Sequence, residues 1–452
     1  MRLISPADSM FLLAESREHP MHVAGLQLFE PPPGTAGPEF LQGLHQRLAA
    51  GRELHPTFRK HPATLFGGIA HLGWAVDDDV DFDYHLRRSA LPGPGRIREL
   101  LDLTSRWHGT LLDRHRPLWE VHLVEGLADG RVAIYFKVHH ALIDGVAVMK
   151  LMQRTLSTDP GDDARVPWNL PPPRRNPAGP VSRLRSATGA VGSVAALAPS
   201  TLSLARAALL EQRLTLPFGA PRTMFNVRIG GARRVAAQSW PLQRIRRIRQ
   251  AAGVTLNDVA LAMCAGALRQ YLLEHDALPA TPLVAMVPVS LRSADESAGG
   301  GNRTGLVLCN LATDSDDPAE RLDRISSSMR SNKRVFSQLP RVQAMALSAA
   351  MIAPLGLGAV PGVVSSAPPP FNLVISNVPG APEPRYWMGA RLAGNYPLSI
   401  VLDGQALNIT LVTNADNLDF GLVGARGSVP HLQRLLGHLE DSLQQLERAV
   451  GG

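Results

Sequence analysis

Two adjacent histidines in the first half of the chain have the side-chain chemistry of a proton acceptor. They open the segment His139-His140-Ala141-Leu142-Ile143-Asp144-Gly145. Side chains alternate along the apolar run before them, so His140 shares a face with Phe136 and Val138, and His139 shares the face of Lys137. We therefore expect His140 to be the desolvated ring. Burial favours its neutral form, which is the form that a general base for an alcohol needs.

The other residues of this segment are expected to support the base. Asp144 is expected to orient the site, and Gly145 to permit the tight turn that follows. Histidines on opposite faces do not readily bind one ion, and no HExxH pattern is present, so we expect no metal and no other cofactor. A role for His139 as an ordinary hydrogen-bonded packing residue stays open.

A β-hairpin is predicted to carry the two histidines. Strand-like runs extend from Trp119 to Val124 and from Val132 to Val138, and Asp129-Gly130 between them is a typical hairpin turn. The second strand then presents His139 and His140 at its C-terminal end. Before the hairpin, the segment 23–29 is strand-like and the segment 40–48 has helical spacing.

Candidate donors for a developing oxyanion occur in the second half of the chain. The segment 255–258, Thr-Leu-Asn-Asp, precedes an apolar helical pattern and predicts a capping box. Asn257 would offer an amide and the positive end of the helix dipole. We interpret Asp258 as the capping residue. Ser376 and Asn377, in the segment ISNVPG, are a second pair of candidates.

Composition indicates a globular protein with an anionic partner. The 452 residues exceed the size of one hydrophobic core, 45% are hydrophobic and 19% are charged, which favours two domains. The net charge is +7, carried almost entirely by arginine. The phosphates of coenzyme A or an anionic membrane surface would suit this excess of positive charge. An ordinary basic surface without such a partner is the alternative. We expect no nucleic acid, because the arginines are scattered and no reader motif appears.

Proline-rich and uncharged stretches suggest the domain limits. Residues 158–180 cannot form a sheet or a helix interior. We predict an N-terminal subdomain at 1–157, a linker with a surface helix at 158–220, and a C-terminal subdomain at 221–452. The stretch 342–382 has no charged residue, but its prolines favour a buried helix and an apolar loop over a membrane span, with a lipid-facing surface or acyl tunnel as the alternative. A last helix is predicted from Pro430.

Cysteine usage and the N-terminal segment indicate a cytoplasmic protein. Cys264 and Cys309 have no CxxC partner, which favours a reducing compartment. Glu15 and Arg17 interrupt the apolar character of the N-terminus, so a cleaved signal is not expected.

The HHALIDG segment resembles the HHxxxDG signature of coenzyme A-dependent acyltransferases and peptide-synthetase condensation domains. Further segments keep the order found in the bacterial wax ester synthase/diacylglycerol acyltransferase family: Ser5-Pro6, His19 to Val23, Asp83-Tyr84-His85, Pro117-Leu118-Trp119, Asn257-Asp258, Val287 to Arg292, Gly301-Asn302-Arg303 and Ser376 to Gly380. The arginine-rich composition is typical of an actinobacterial member, a triacylglycerol synthase. The chain departs from the family pattern near Thr413 to Asp416 and at Ala425, which puts local packing or substrate detail in doubt.

The resemblance implies an α/β (α+β) fold of two chloramphenicol acetyltransferase-like subdomains, each a mixed sheet with flanking helices, with a substrate tunnel between them. It implies that His140 takes the proton of an alcohol that attacks acyl-CoA, that Asp144 pairs with an arginine and holds the histidine loop, and that His139 supports this loop or the tunnel wall.

The implied function is transfer of a long-chain acyl group from acyl-CoA to diacylglycerol, to a long-chain alcohol, or to both, at a peripheral membrane or lipid-droplet surface. The alternatives are a carrier-protein-dependent or condensation-like acyltransferase and a non-catalytic lipid-binding or droplet protein. We make no prediction of the oligomeric state from the sequence.

Overall fold

The strands of the described chain form two six-stranded sheets and one small three-stranded sheet. The computed structural model describes residues 2–63, 73–163, 165–172, 219–290, 304–338 and 368–451. In the first half the elements are β1 (Arg2–Leu3), α1 (Pro6–Ala14), β2 (His22–Glu30), α2 (Gly37–Ala50), β3 (Lys60–Pro62), β4 (Gly73–Val76), α3 (Phe82–His85), β5 (Leu86–Ala90), α4 (Ile97–His108), β6 (Trp119–Glu125), β7 (Val132–His139) and α5 (Gly145–Thr155).

The second half supplies the remaining described elements. They are β8 (Arg233–Pro241), α6 (Leu242–Ala252), α7 (Leu256–Leu273), β9 (Val284–Ser290), β10 (Thr304–Asn310), α8 (Pro318–Gln338), β11 (Leu373–Ala381), β12 (Tyr386–Trp387), β13 (Ala390–Leu398), β14 (Leu407–Asn414), β15 (Asn417–Ala425) and α9 (Arg434–Gly451). The last helix begins four residues after the predicted Pro430, because residues 430–433 form turns.

Both large sheets mix parallel and antiparallel pairs. The first has the order β12-β13-β2-β7-β6-β5 and the second β10-β9-β11-β14-β15-β8. In the first sheet β5 and β6 are parallel, and in the second β11 is parallel to both β9 and β14. The predicted hairpin is confirmed as β6 and β7, which pair antiparallel with Gly130 at a φ of 79° in the turn. The predicted α/β class with mixed sheets and flanking helices is confirmed.

The second half of the chain contributes strands to the first sheet. Strands β12 and β13 come from the second half, yet β13 pairs with β2 and completes the first sheet. Part of the predicted linker also packs in the first half, where Trp168 is fully buried and its indole N–H donates to the Gly51 carbonyl oxygen at 2.9 Å. The predicted limits at 157 and 221 therefore follow chain order but do not separate the sheets. The predicted surface helix and most of the uncharged stretch lie outside the described residues.

Helix α7 forms the centre of the second core. Its predicted capping box is confirmed: the Asp258 amide donates to Thr255 Oγ1 at 3.2 Å, and the Thr255 amide donates to Asp258 Oδ2 at 2.9 Å. The helix packs against α9, and a Cβ at Gly266 would overlap the Ser442 hydroxyl. Cys264 and Cys309 are free and buried, and burial raises the pKa of both thiols to about 12.

No described helix is by itself long and apolar enough to cross a membrane, although α6 and α7 meet that criterion jointly as a pair bent by 105°.

Gly380 offers a test of the β11 geometry. The pairing of β11 with β14 shifts register between Val378 and Ala381, and a Cβ at Gly380 would overlap the Thr413 carbonyl oxygen. Gly380→Ala is expected to lower the free energy of unfolding by at least about 2 kcal/mol, because rigid backbone must move. Gly437→Ala is the control, since its Cβ would meet nothing within 4 Å and helix propensity should raise stability by about 0.5–1 kcal/mol. Equal urea midpoints for the two variants would contradict the close approach.

Candidate active site

The HHALIDG loop is anchored at both ends. At its start, the His140 amide donates to the Met21 carbonyl oxygen at 2.8 Å, which continues the pairing of β7 with β2. At its end, Asp144 is the N-cap of α5, and its Oδ1 accepts the Ala147 amide proton at 2.8 Å. Between these ends the side chains of residues 141–143 are buried in the first core. The loop is therefore a packed connection between a strand and a helix.

His140 is half-buried and lies against α1. Its imidazole stacks on the Phe11 ring with centroids 4.1 Å apart and an angle of 21° between the planes. One face of the ring is thus covered by an aromatic side chain, while part of the residue remains accessible to solvent. This combination suits a base that a substrate must reach.

The prediction that His140 is the more desolvated histidine is wrong. His139 is fully buried, whereas His140 is not. Every residue of β7 is buried, so both faces of the strand are covered. Helix α4 and the turn after it cover the face of His139, where Lys137 Nζ donates to the carbonyl oxygens of Trp107 and Thr110 at 3.2 and 3.1 Å. Alternation assigns side chains to faces, but it does not reveal what covers each face.

His139 is fixed by contacts on both ring nitrogens. Nδ1 accepts the Ala141 amide proton at 3.1 Å, which places the ring proton on Nε2. Nε2 lies 3.2 Å from Oε1 of Glu15, a side chain that is 1% exposed. These contacts attach the loop to the residue that follows α1.

Glu15 joins three parts of the site in one buried ion-pair network. Besides His139, it accepts the Met21 amide proton at 3.1 Å on Oε1 and the Arg114 Nε proton at 3.1 Å on Oε2. Arg114 also donates to the Leu12 carbonyl oxygen at 2.7 Å. Burial alone would raise the pKa of Glu15, but the hydrogen bonds and charges of its partners lower the pKa below its usual value. The carboxylate is therefore held ionised.

Sequence reasoning missed both Glu15 and Arg114 as parts of the site. Beneath the loop, Arg114 pairs with Glu15, a carboxylate that the sequence did not single out. Asp144 caps α5, and its pairing with an arginine stays a prediction. No local signal marked this pair, because Arg114 lies 99 residues after Glu15 and Glu15 is followed in the sequence by the further charged residues Arg17 and Glu18.

Gly145 does not have the predicted steric role. It is the first residue of α5 and has no left-handed φ. A Cβ at this position would lie 3.7 Å from Val23 Cγ1, which is ordinary van der Waals contact. The turn into α5 depends on the Asp144 cap. It does not require the additional backbone conformations that a glycine at position 145 would allow.

Two of the predicted oxyanion donors meet at the second sheet. Asn377 Nδ2, on β11, donates to Asn257 Oδ1, at the start of α7, at 3.4 Å. Ser376 precedes Asn377 on β11, is half-buried and is paired in register with Thr410 of β14. Asn257 and Asn377 thus meet where the N-terminus of α7 approaches β11. Their role as oxyanion donors stays a prediction.

Helix α5 connects this region to the histidine loop. Met149 packs on Val378 of β11 and Val412 of β14, and Gln153 Nε2 donates to the Pro379 carbonyl oxygen at 3.1 Å. The helix that follows His140 therefore contacts the sheet that carries Asn377. Among the described residues, no group of three or more histidine, cysteine, aspartate or glutamate side chains is placed to hold a metal ion.

Two mixed sheets, of which the first includes β13 from the second half of the chain, and an HHxxxDG loop at the end of β7 define a chloramphenicol acetyltransferase-like acyltransferase. The profile of the wax ester synthase/diacylglycerol acyltransferase catalytic domain matches residues 4–260, and that of the C-terminal domain of the same family matches residues 300–447. The chain belongs to the wax ester synthase/diacylglycerol acyltransferase family, as its sequence predicted.

Individual relatives match this chain over nearly its full length. The chain is 66% identical to a protein of Mycobacterium tuberculosis named probable diacylglycerol O-acyltransferase, with 100% of both chains covered. It is 42% identical to the O-acyltransferase WSD of Acinetobacter baylyi, covering 100% of this chain and 98% of the relative. The solved wax ester synthase/diacylglycerol acyltransferase of Marinobacter aquaeolei superposes with a TM-score of 0.81 at 41% identity, with both chains fully covered.

A more distant likeness concerns the fold alone. The starter condensation domain of rhizomide synthetase superposes with a TM-score of 0.55 at 13% identity, covering 100% of this chain and 94% of that domain.

Removal of the Glu15 charge tests the buried network. Glu15→Gln is expected to lower the free energy of unfolding by about 3 kcal/mol, because Arg114 keeps a charge without its carboxylate. The turnover number for acyl transfer should fall while KM changes little, since the loop that presents His140 loses an anchor. Exposed Glu18→Gln, three residues further along, is the control. If both variants matched the wild type in denaturant unfolding and turnover, the network would have no such role.

The lowered pKa of Glu15 also predicts a pH dependence. Its ionised form is favoured in the folded state, so its contribution to stability is complete above the ordinary value of 4.5 and is lost as the pH falls through the lower folded-state pKa. The stability difference between wild type and Glu15→Gln should therefore be full at neutral pH and narrow under acid conditions. Urea unfolding at a series of pH values measures it, and a difference that widened toward acid would contradict the assignment.

Proposed function

We propose that this chain transfers a long-chain acyl group from acyl-CoA to diacylglycerol and, as a second acceptor, to long-chain alcohols, with His140 as the general base. The observation that carries the proposal is the half-buried His140 ring, which stacks on Phe11 and stays accessible at the end of β7. The names of the relatives from Mycobacterium tuberculosis and Acinetobacter baylyi support the reaction class and the acceptor.

The proposed reaction has one covalent exchange and no acyl-enzyme. His140 takes the proton of the acceptor hydroxyl as its oxygen attacks the thioester carbonyl carbon. The tetrahedral intermediate then collapses, the carbon–sulfur bond breaks, and the imidazolium returns its proton to the coenzyme A thiolate. The ester oxygen comes from the acceptor, and His140 ends in its starting form.

The remaining predicted residues have supporting roles in this proposal. Asn257 would stabilise the oxyanion of the intermediate, with Ser376 and Asn377 beside it as further donors. His139 and Asp144 would hold the loop without touching substrate, and Gly145 would be a substrate-binding residue. The acyl chain and the acceptor would lie in a tunnel between the two sheets, and acyl-CoA would be a substrate, with no cofactor or metal required.

The location is part of the proposal. Diacylglycerol and long-chain alcohols reside in membranes and lipid droplets, so the enzyme would work in the cytoplasm at the surface of one of these, as a peripheral protein. A carrier-protein-bound acyl donor and a non-catalytic lipid-binding role are the competing functions that the test must separate.

The test measures thiol release from palmitoyl-CoA with dioleoylglycerol or hexadecanol, and products are separated by chromatography. The wild type is expected to release thiol only with an acceptor and to form matching amounts of triacylglycerol or wax ester. His140→Ala should lower the turnover number by about 10²- to 10⁴-fold, because the base is removed. His115→Ala, at an exposed histidine, is the matched control and should keep full activity.

Three other outcomes of this experiment would favour a different function or mechanism. Full activity in His140→Ala would refute the base assignment. A folded wild type that makes no product from palmitoyl-CoA, but does so from a carrier-bound palmitoyl thioester, would establish the carrier-dependent alternative. Lipid binding without product from either donor would establish the non-catalytic one.

A further inference from the structure

A cavity of about 480 Å³ at the C-terminal end of α5 concentrates positive charge. Its lining, which we call the cationic pocket, consists of Lys150, Gln153, Arg154, Leu156, Arg165 and Arg385. Four of these six residues are cations and none is a carboxylate. A site of this kind attracts a ligand with several negative charges, and guanidinium groups match phosphate oxygens in geometry.

The cations of this pocket are not neutralised by described neighbours. Arg385 Nε is buried and has no hydrogen-bond partner among the described residues. A buried donor without a partner costs free energy, and an anionic ligand would remove that cost. Arg154 donates to the Pro171 carbonyl oxygen at 2.7 Å, which fixes its side chain and leaves its charge uncompensated.

A second basic cavity, of about 580 Å³, lies between α4 and β8 and has a different lining. It includes the carboxylate of Asp102, which forms an ion pair with Arg234, and Arg233 donates to the carbonyl oxygens of Gly230 and Glu18. Its other cations are Arg17, Arg106 and Arg426. The cationic pocket is the better anion site of the two, because its lining has no carboxylate and includes a buried donor without a described partner.

The cationic pocket and His140 lie at opposite ends of one helix. Arg154 is in the last turn of α5 and Asp144 is its N-cap, so about 15 Å of helix separates them. Met149 lies between these ends and packs on the second sheet. In acyl-CoA, the pantetheine arm separates the thioester from the diphosphate and the ribose 3′-phosphate by a distance of this order.

We propose that the cationic pocket binds the phosphate groups at the nucleotide end of acyl-CoA, so that the pantetheine arm follows α5 to His140. The assignment rests on the proposed function for its substrate. An anionic lipid headgroup carries the same phosphate chemistry, and the experiment therefore includes both sources.

Calorimetric titration of the full chain with coenzyme A, dephospho-coenzyme A and pantetheine tests the assignment without requiring turnover. The wild type should bind coenzyme A most tightly and pantetheine least. Arg154→Gln and Arg385→Gln should each weaken coenzyme A binding by about tenfold, the effect of losing one charged hydrogen bond, and leave pantetheine binding unchanged. Arg426→Gln, in the second basic cavity, is the matched control and should bind coenzyme A like the wild type.

Kinetics and vesicle binding separate the remaining outcomes. The KM for palmitoyl-CoA should rise in the two variants, and that for palmitoyl-pantetheine should not. Equal affinity of the wild type for coenzyme A and pantetheine, or a loss confined to Arg426→Gln, would overturn the assignment. So would variants that keep their coenzyme A affinity and lose binding to phosphatidylglycerol vesicles. If the wild type bound coenzyme A through this pocket and transferred no acyl group, the proposed function would fail and this inference would stand.

Discussion

A buried carboxylate determines how the histidine loop is held. Glu15 lies between Arg114 and His139 with its side chain 1% exposed, and its charge would be unfavourable there without both partners. The same carboxylate accepts the Met21 amide proton, and the Met21 carbonyl oxygen accepts the His140 amide proton. Helix α1, strand β2 and the loop are thereby joined around one ionised group, and His140 is placed on the Phe11 ring.

The second constraint is that strands from the second half of the chain lie in the first sheet. Strand β13 completes the sheet that carries His140, and α5 extends from the histidine loop to β11. His140, the asparagine pair and the cationic pocket are thus fixed relative to one another by α5 and the shared sheet. An acyl donor held at one end of α5 and a base at the other would need no large rearrangement to react.

Local features of this fold could be predicted from sequence, and long-range pairings could not. The hairpin and the capping box follow from turn residues, alternation and spacing within short segments. The role of Glu15 was not predicted, because its partner Arg114 is 99 residues away in the sequence and no local pattern encodes such a pair. The full burial of His139 was not predicted, because the alternation of side chains along β7 does not show that α4 covers the face of the strand on which His139 lies. The pairing of β13 with β2 was not predicted, because the choice of a strand partner depends on the assembled fold.

Glu15 and His139 are in direct contact beneath the loop, and we infer that they act as one unit in presenting His140. A double-mutant cycle of Glu15→Gln and His139→Asn, read out as the turnover number for palmitoyl transfer, measures their coupling directly. We expect the double variant to be no slower than the slower single variant, with a coupling free energy of at least about 1 kcal/mol. Additive effects of the two substitutions would instead show that each residue acts alone.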